Sequence, residues 1–226
     1  MEIDLKYGDG HRQIKIPDHA NVTVLKPAEY PPAASIDRCL EEGLASPLGC
    51  ESFQKMLQHI APETIGIAVP DETRPVPLHA ILPLLLEAVI EALPDLSPDA
   101  ITIIIGGGLH PPMEKHALAH IVPEGIARGC RVVAHDAGND RMIDYGLTSR
   151  KTPVRINAAF AESKFKIVIG LIDPHQFVGF TGGAKGAVIG CAAAETIRHN
   201  HSLMFHPEAR VGRITGNPVR EDLNEA

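Results

Sequence analysis

The stretch Ala-Ile-Thr-Ile-Ile-Ile-Gly-Gly-Gly-Leu-His, residues 100–110, decides the fold class. Its first six residues form a run rich in β-branched side chains, which is the strongest strand signal in the chain. The three glycines that follow end the strand, and they allow a backbone to come close to a ligand or to cradle an anion. His110 stands directly after this turn. A single histidine in a loop is usually polar surface, but at this place it could also be a general base.

Similar short runs lie on both sides of this strand. Apolar or β-branched runs at residues 64–69, 131–134 and 166–169 predict three further strands. The segment 78–93 has apolar residues at helical spacing, and Pro83 should either kink this helix or mark its start. Strands that alternate with helices imply right-handed crossovers. The sequence therefore predicts an α/β fold, with a mostly parallel sheet flanked by helices in a Rossmann-like arrangement.

The N-terminal residues have a different pattern. Residues 2–7 and 12–16 alternate between apolar and polar side chains around a Gly-Asp-Gly turn, which predicts a β-hairpin. Residues 21–25 are a plausible third strand. We therefore expect residues 1–30 to form a hairpin extension of the main domain. A proline-rich connection with Pro27, Pro31 and Pro32 follows it.

Composition narrows the class of protein. The 226 residues are 44% hydrophobic and 22% charged, as in an ordinary globular domain. The net charge is -7 and aromatic residues make up only 4%, so neither a basic patch nor stacking platforms for nucleic acid are expected. Apolar runs stay well below the roughly 20 residues that span a bilayer, and the first residues do not resemble a signal peptide. We therefore expect a cytoplasmic protein without a membrane or nucleic-acid partner.

Polar residues follow three of the predicted strands. Residues 71–75 (Asp-Glu-Thr-Arg-Pro) come after the first of these strands, residues 106–110 after the second, and residues 170–175 after the third. In open α/β sheets, ligands bind outside the carboxyl ends of the strands. The sequence thus predicts a ligand site at this edge of the sheet.

The segment 71–75 permits two interpretations. Asp71 or Thr73 could cap a helix in which Pro75 takes an early position, with Arg74 in solvent. Alternatively, the guanidinium of Arg74 could bind a carboxylate or phosphate in a bidentate fashion. The sequence alone leaves both interpretations open.

Residues 175–185 (His-Gln-Phe-Val-Gly-Phe-Thr-Gly-Gly-Ala-Lys) are the most informative stretch. The Gly-Phe-Thr-Gly-Gly core, which includes Gly182 and Gly183, is a backbone cradle, and Lys185 follows it at the expected start of a helix. The stretch is no phosphate loop of the GxxxxGK[ST] type, because glycine and not a hydroxyl residue follows the lysine. A tight turn with a solvated lysine is the simplest interpretation. A lysine in this setting can also have a lowered pKa, which favours covalent chemistry.

Two more histidines, His199 and His201, are two residues apart. On a helix they point in different directions and cannot both bind one ion. The spacing differs from the HExxH zinc pattern. At most one of them is therefore expected to be a metal ligand.

Taken together, these motifs resemble the nickel-dependent lactate racemase family. The resemblance rests on their order along the chain, and it spans residues 71–220. The motifs are Asp71–Pro75, Gly108–His110, His175–Lys185, Asn200-His201 and Gly216-Asn217-Pro218-Val219-Arg220. Each motif is weak alone, whereas the ordered set is specific.

The resemblance implies an unusual cofactor, a pyridinium mononucleotide that holds nickel in a pincer and is tethered to a lysine, here Lys185. It also implies that His201 completes the nickel coordination, which suits the square-planar preference of Ni(II). His110 and His175 would be the acid–base groups, and Arg74 would bind the substrate carboxylate. Residues assigned to cofactor binding on this basis are Asp71, Thr73, Gly182, Gly183 and Lys185.

The implied reaction is racemisation or epimerisation at C2 of a 2-hydroxy acid, lactate or a relative, by proton-coupled hydride transfer to the tethered cofactor. Enzymes that make the cofactor would be partners. We expect residues 1–226 to be the N-terminal cofactor-binding catalytic domain, without the family's C-terminal domain and inactive alone. The alternative is a non-catalytic metal- or anion-binding α/β module built on the same glycine turns.

Overall fold

The computed structural model describes residues 1–25, 28, 31–32 and 35–226. The chain divides into two compact units, Met1–Ala33 and Ala34–Ala226. In the first unit, β1 (Glu2–Tyr7) and β2 (Gly10–Lys15) form the predicted antiparallel hairpin. Pro27 of the predicted connection, and part of the predicted extension at 26–30, lie outside the described residues.

The predicted third strand at residues 21–25 is wrong. A turn closed by the Ala20 amide and the Pro17 carbonyl, 3.0 Å apart, follows the hairpin. Within the part of the chain that the structure describes, residues 21–25 pair with no strand. Their β-branched composition does not make a strand, because a strand needs a partner that satisfies its backbone groups.

The second unit alternates strands and helices. Its helices are α1 (Ile36–Ala45), α2 (Phe53–Ile60), α3 (Leu78–Ala92), α4 (Glu124–Gly129), α5 (Ala158–Ala161), α6 (Ala184–Val188), α7 (Ala194–Ser202) and α8 (Pro218–Glu225). Its strands are β3 (Ile65–Val69), β4 (Ile101–Ile105), β5 (Arg131–Ala134), β6 (Met142–Leu147), β7 (Pro153–Asn157), β8 (Phe165–Val168), β9 (Pro174–His175) and β10 (Gly179–Phe180). Short 3-10 helices occupy Pro98–Ala100, Lys115–His120 and Leu203–Phe205. Helix α3 begins at Leu78 and continues through Pro83, so Pro83 does not mark its start.

Four strands form a parallel sheet in the order β5-β4-β3-β8. This confirms the predicted α/β fold with helices on both faces. Because the strands are parallel and in register, with Val69 beside Ile105, their carboxyl ends meet at one edge. The segments that follow β3, β4 and β8 therefore come together there, as the sequence predicts.

The alternation of side chains along β4 divides the core in two. Ile101, Ile103 and Ile105 pack on one face with apolar residues of α2 and α3. Ile104 packs on the other face with residues of α5, α6, α7 and α8. Both faces are covered, which holds the sheet edge rigid beneath the loops that carry polar residues.

Candidate active site

A cavity of about 270 Å³ lies at the carboxyl edge of the sheet. Its lining brings together most of the side chains that the sequence singled out. They are Asp71, Arg74, His110, His175, Gly182, Lys185 and His201. Thr73 and Gly183 do not line the cavity: Thr73 hydrogen-bonds to Asp71 beside it, and Gly183 is exposed.

Asp71 organises the loop after β3. Its Oδ1 accepts hydrogen bonds from the Thr73 amide at 3.2 Å and the Thr73 hydroxyl at 2.6 Å. Its Oδ2 lies 2.5 Å from Nδ1 of His110, in the loop after β4. The capping interpretation is wrong, because α3 begins only at Leu78 and Asp71 closes a local turn instead.

The carboxylate of Asp71 is kept ionised. Burial of this side chain raises its pKa, but hydrogen bonds from Thr73 and His110 together with the charge of His110 outweigh burial and lower the pKa below the ordinary value. An ionised Asp71 accepts a hydrogen bond from Nδ1 of His110, so the proton of the neutral ring is held on Nδ1. Nε2 of His110 is then the ring nitrogen without a proton, and it is the one that can accept a proton from a ligand.

His175 lies at the end of β9, in the short hairpin with β10. The Val178 amide donates to its Nδ1 at 3.4 Å. Burial, followed by the positive charges of Lys185, His201 and Arg74 in that order, lowers the pKa of His175 to about 4. His175 is therefore neutral at pH 7, and it releases a proton readily whenever it is protonated.

Lys185 lies in the first turn of α6, as predicted. Gly182 and Gly183 precede it with φ angles of 77° and 58°, a left-handed conformation that only glycine adopts at low cost. These two residues turn the chain into α6 so that the lysine reaches the cavity. Burial, with the nearby charges of Arg74 and Arg220, lowers the pKa of Lys185 to about 8. At neutral pH, a much larger fraction of this amine than of an ordinary lysine is thus uncharged and nucleophilic.

His201 and His199 point in different directions from α7. His201 lines the cavity, and its Nδ1 is buried without a hydrogen-bond partner among the described residues. His199 instead bonds through Nδ1 to the Thr152 hydroxyl at 2.8 Å. Burial and the charge of Lys185 lower the pKa of His201, which favours the neutral ring that binds metals. In the described ranges, no group of three or more His, Cys, Asp or Glu side chains could hold a metal ion.

Phe177 is a contact residue that the sequence did not reveal. Its ring packs edge-on against His175, with centroids 4.7 Å apart, and against His201 at 5.0 Å. Phe177 therefore contacts both histidine rings. Its position within the 175–185 motif was visible in the sequence, but nothing in the pattern indicated that this apolar side chain touches both rings.

These features define a class of protein: an α/β domain with a cavity of ligand size at the carboxyl edge of a parallel sheet, lined by three histidines and a lysine of lowered pKa. The sequence model of the lactate racemase N-terminal domain matches residues 7–212. The chain belongs to this family.

Two curated relatives are similar to almost the whole chain. The lactate racemase of Lactiplantibacillus plantarum is 32% identical over 229 residues, covering 99% of this chain and 53% of the relative. The lactate racemase of Thermoanaerobacterium thermosaccharolyticum is 27% identical over 226 residues, covering 98% and 52%. The chain thus spans about half the length of the curated relatives it matches.

Solved structures support the same fold. The lactate racemase apoprotein of Thermoanaerobacterium thermosaccharolyticum superposes with a TM-score of 0.84 at 27% identity, covering 99% of this chain and 52% of that one. A protein from Thermotoga maritima superposes with a TM-score of 0.63 at 20% identity, covering 83% and 46%. The second likeness concerns the fold alone. Separately, within the described residues, no helix of the chain is both long and apolar enough to cross a membrane.

Proposed function

We propose that this chain provides the cofactor-binding half of a racemase or epimerase that acts at C2 of a 2-hydroxy acid, lactate or a relative. One observation carries the proposal: Lys185, Arg74 and the histidines His110, His175 and His201 all line one cavity. This reaction needs three kinds of group from the protein. They are a lysine that can form a covalent bond, an imidazole that is free to bind a metal, and acid–base groups.

The residues fit a nickel-pincer pyridinium mononucleotide. Lys185 has the lowered pKa that amide-type attachment needs, and the buried Nδ1 of His201 lacks a protein partner in the described structure. A single imidazole suits a metal whose other donors arrive with the organic group. When bound, this group would supply a reversible acceptor for the hydride on C2 of the substrate.

The remaining residues bind the substrate and move its proton. Arg74 is a guanidinium on the cavity wall and binds the carboxylate of the hydroxy acid. His110 takes the hydroxyl proton on Nε2, because the Asp71 carboxylate accepts a hydrogen bond from Nδ1–H and, while it stays ionised, stabilises the resulting imidazolium. His175 is the second proton partner, which a racemase needs because it must serve both enantiomers.

The test is a chimera in which residues 1–226 replace the matching half of the Lactiplantibacillus plantarum relative. The chimera is produced together with the enzymes that make the cofactor. Given L-lactate deuterated at C2 in ordinary water, the chimera should yield D-lactate that keeps its deuterium, because C2 would lose a hydride and not a proton. Chiral chromatography with mass detection measures both properties.

Variants of the chimera serve as controls. Asn in place of His110 should lower turnover by about 10²-fold or more, the usual contribution of a general base, whereas Lys164→Ala, an exposed lysine, should leave turnover unchanged. A chimera that carries cofactor and nickel but does not interconvert the enantiomers would instead support a non-catalytic metal-binding module. Loss of deuterium to solvent would contradict the hydride route.

A further inference from the structure

The segment 212–220 contacts the turn between β9 and β10 in an unusual way. Its donors satisfy every backbone carbonyl from Phe177 to Phe180. Asn217 Nδ2 donates to Phe177 O at 2.8 Å, Arg220 Nε to Val178 O at 3.2 Å, the Gly212 amide to Gly179 O at 3.0 Å, and the Arg220 guanidinium also to Phe180 O. We call Gly212, Asn217 and Arg220 the carbonyl clamp.

The two side chains of the clamp, Asn217 and Arg220, are buried and depend on each other. Asn217 is fully buried and Arg220 is 7% exposed. While Asn217 donates to the turn, its Oδ1 accepts from the amides of Val219 and Arg220 at 3.1 and 3.3 Å and so begins helix α8. One side chain therefore fixes both the helix that carries Arg220 and the turn that Arg220 holds.

Gly179 shows how closely the two segments approach. Its φ angle is 85°, and a Cβ at this position would lie 2.0 Å from the carbonyl oxygen of Arg213. No side chain fits there without separating the turn from the segment 212–220. The geometry thus leaves the turn little freedom to move independently of the clamp.

This turn carries Phe177, whose ring contacts both His175 and His201. We propose that Asn217 and Arg220 are positioning residues that set the placement of these two histidines through Phe177. The contacts themselves do not depend on any assumption about the reaction. Their effect on catalysis, however, rests on the proposed function. This gives a role to the Gly-Asn-Pro-Val-Arg motif, which the proposed function leaves without one.

Arg220 could also act through its charge alone, and the test must separate charge from geometry. Arg220→Lys keeps the positive charge but cannot donate to two carbonyls in the fixed geometry of a guanidinium. Asn217→Asp keeps the size and the helix cap but removes the donor to Phe177 O. Arg150→Lys is the matched control, because Arg150 pairs with Glu221 of the same helix at 2.8 Å and has no part in the clamp.

The measurement is the position of the histidine ring signals in ¹H–¹³C spectra of the cofactor-free protein at pH 8, where a lowered pKa keeps His175 and His201 neutral. Ring protons next to an aromatic edge report small displacements of that ring. Arg220→Lys and Asn217→Asp should each move the signals of both histidines several-fold further than Arg150→Lys does. The exposed His59 on α2 serves as the reference signal.

A purely structural role would lower the melting temperature of the variants but leave both histidine signals in place in the folded protein. That result, from either clamp variant, overturns the proposal. Since Asn217→Asp retains the cap of α8, it decides the question if Arg220→Lys does not fold. The absence of cofactor in this experiment keeps its outcome independent of the racemase assay.

Discussion

The two histidines His110 and His175 differ mainly in the charged groups that surround them. His110 has a carboxylate partner in Asp71, whereas His175 lies near the cations Lys185 and Arg74. The two imidazoles therefore lie in surroundings of opposite charge, which suits them to different tasks in the proposed reaction. The sequence could nominate both histidines, but the identity of their partners depends on where the loops after β3, β4 and β8 meet.

The lowered pKa of Lys185 predicts its reactivity. In the cofactor-free protein, acylation of Lys185 should reach half its maximal rate near pH 8, because the amine is protonated below its pKa of about 8. An ordinary lysine titrates near 10.4. Arg74→Ala should move the midpoint to higher pH, since removing a neighbouring positive charge makes protonation of the lysine easier. Pulse labelling followed by peptide mass spectrometry measures this, with the exposed Lys164 as reference.

Asp71 predicts the tautomer of His110. In Asp71→Asn, Oδ1 can still accept from Thr73, and an amide group then faces Nδ1 of His110 in place of a carboxylate oxygen. The imidazole should respond by moving its proton to Nε2, which ¹⁵N chemical shifts of the two ring nitrogens detect. Glu72→Gln, an exposed neighbour, is the control. An unchanged pattern of shifts in Asp71→Asn would mean that Asp71 does not orient His110.

At the level of elements, apolar runs identify the central strands but not the peripheral ones. Strands β3 and β4 are almost entirely buried and β8 is half-buried, and their mostly apolar composition makes all three visible in the sequence. Strand β6 is mostly exposed and its pairing with β7 is irregular between Asp144 and Leu147, so neither an apolar run nor a regular alternation indicates it. Helix phase likewise decides which of His199 and His201 reaches the cavity.

The junction of α7 and α8 rests on one buried carboxylate. Asp222 accepts hydrogen bonds from the hydroxyls of Thr148 and Thr152 at 2.5 and 2.7 Å and from Asn200, next to His201, at 2.8 Å. Asp222→Ala leaves these buried donors unsatisfied and should lower the free energy of unfolding by about 2–4 kcal/mol. Urea denaturation measures the difference.

The control for this prediction lies on the same helix. Glu225 bonds to Ser149 at the surface, and Glu225→Ala should change the free energy of unfolding by no more than about 0.5 kcal/mol. Equal effects of the two substitutions would show that the buried network does not hold α8 in place.

For the molecule as a whole, the cavity is open to solvent. The side chain of His110 is 52% exposed, and the apolar lining residue Leu109 is 50% exposed. Water therefore reaches the groups that would handle a keto intermediate, which a closed site protects. The sequence predicted that these side chains lie together at one edge of the sheet, as they do, but it could not show how open that edge is.

This openness predicts low activity for the 226 residues by themselves. With cofactor loaded, we expect them to racemise lactate at least about 10²-fold more slowly than the chimera, because orientation of the substrate and exclusion of water are incomplete. Both proteins are compared by chiral chromatography at matched nickel content. Equal turnover numbers would show that the cavity needs no further closure.

The most direct test of the central claim is the intact mass and nickel content of the protein after production with the cofactor-forming enzymes. The wild-type chain and Lys164→Ala should carry the mass of the tethered mononucleotide and about one nickel ion per chain, the stoichiometry of a single square-planar centre. Lys185→Ala should lack the added mass, and His201→Ala should keep the mass but lose nickel more readily. The same added mass on Lys185→Ala as on the wild-type chain would contradict the account.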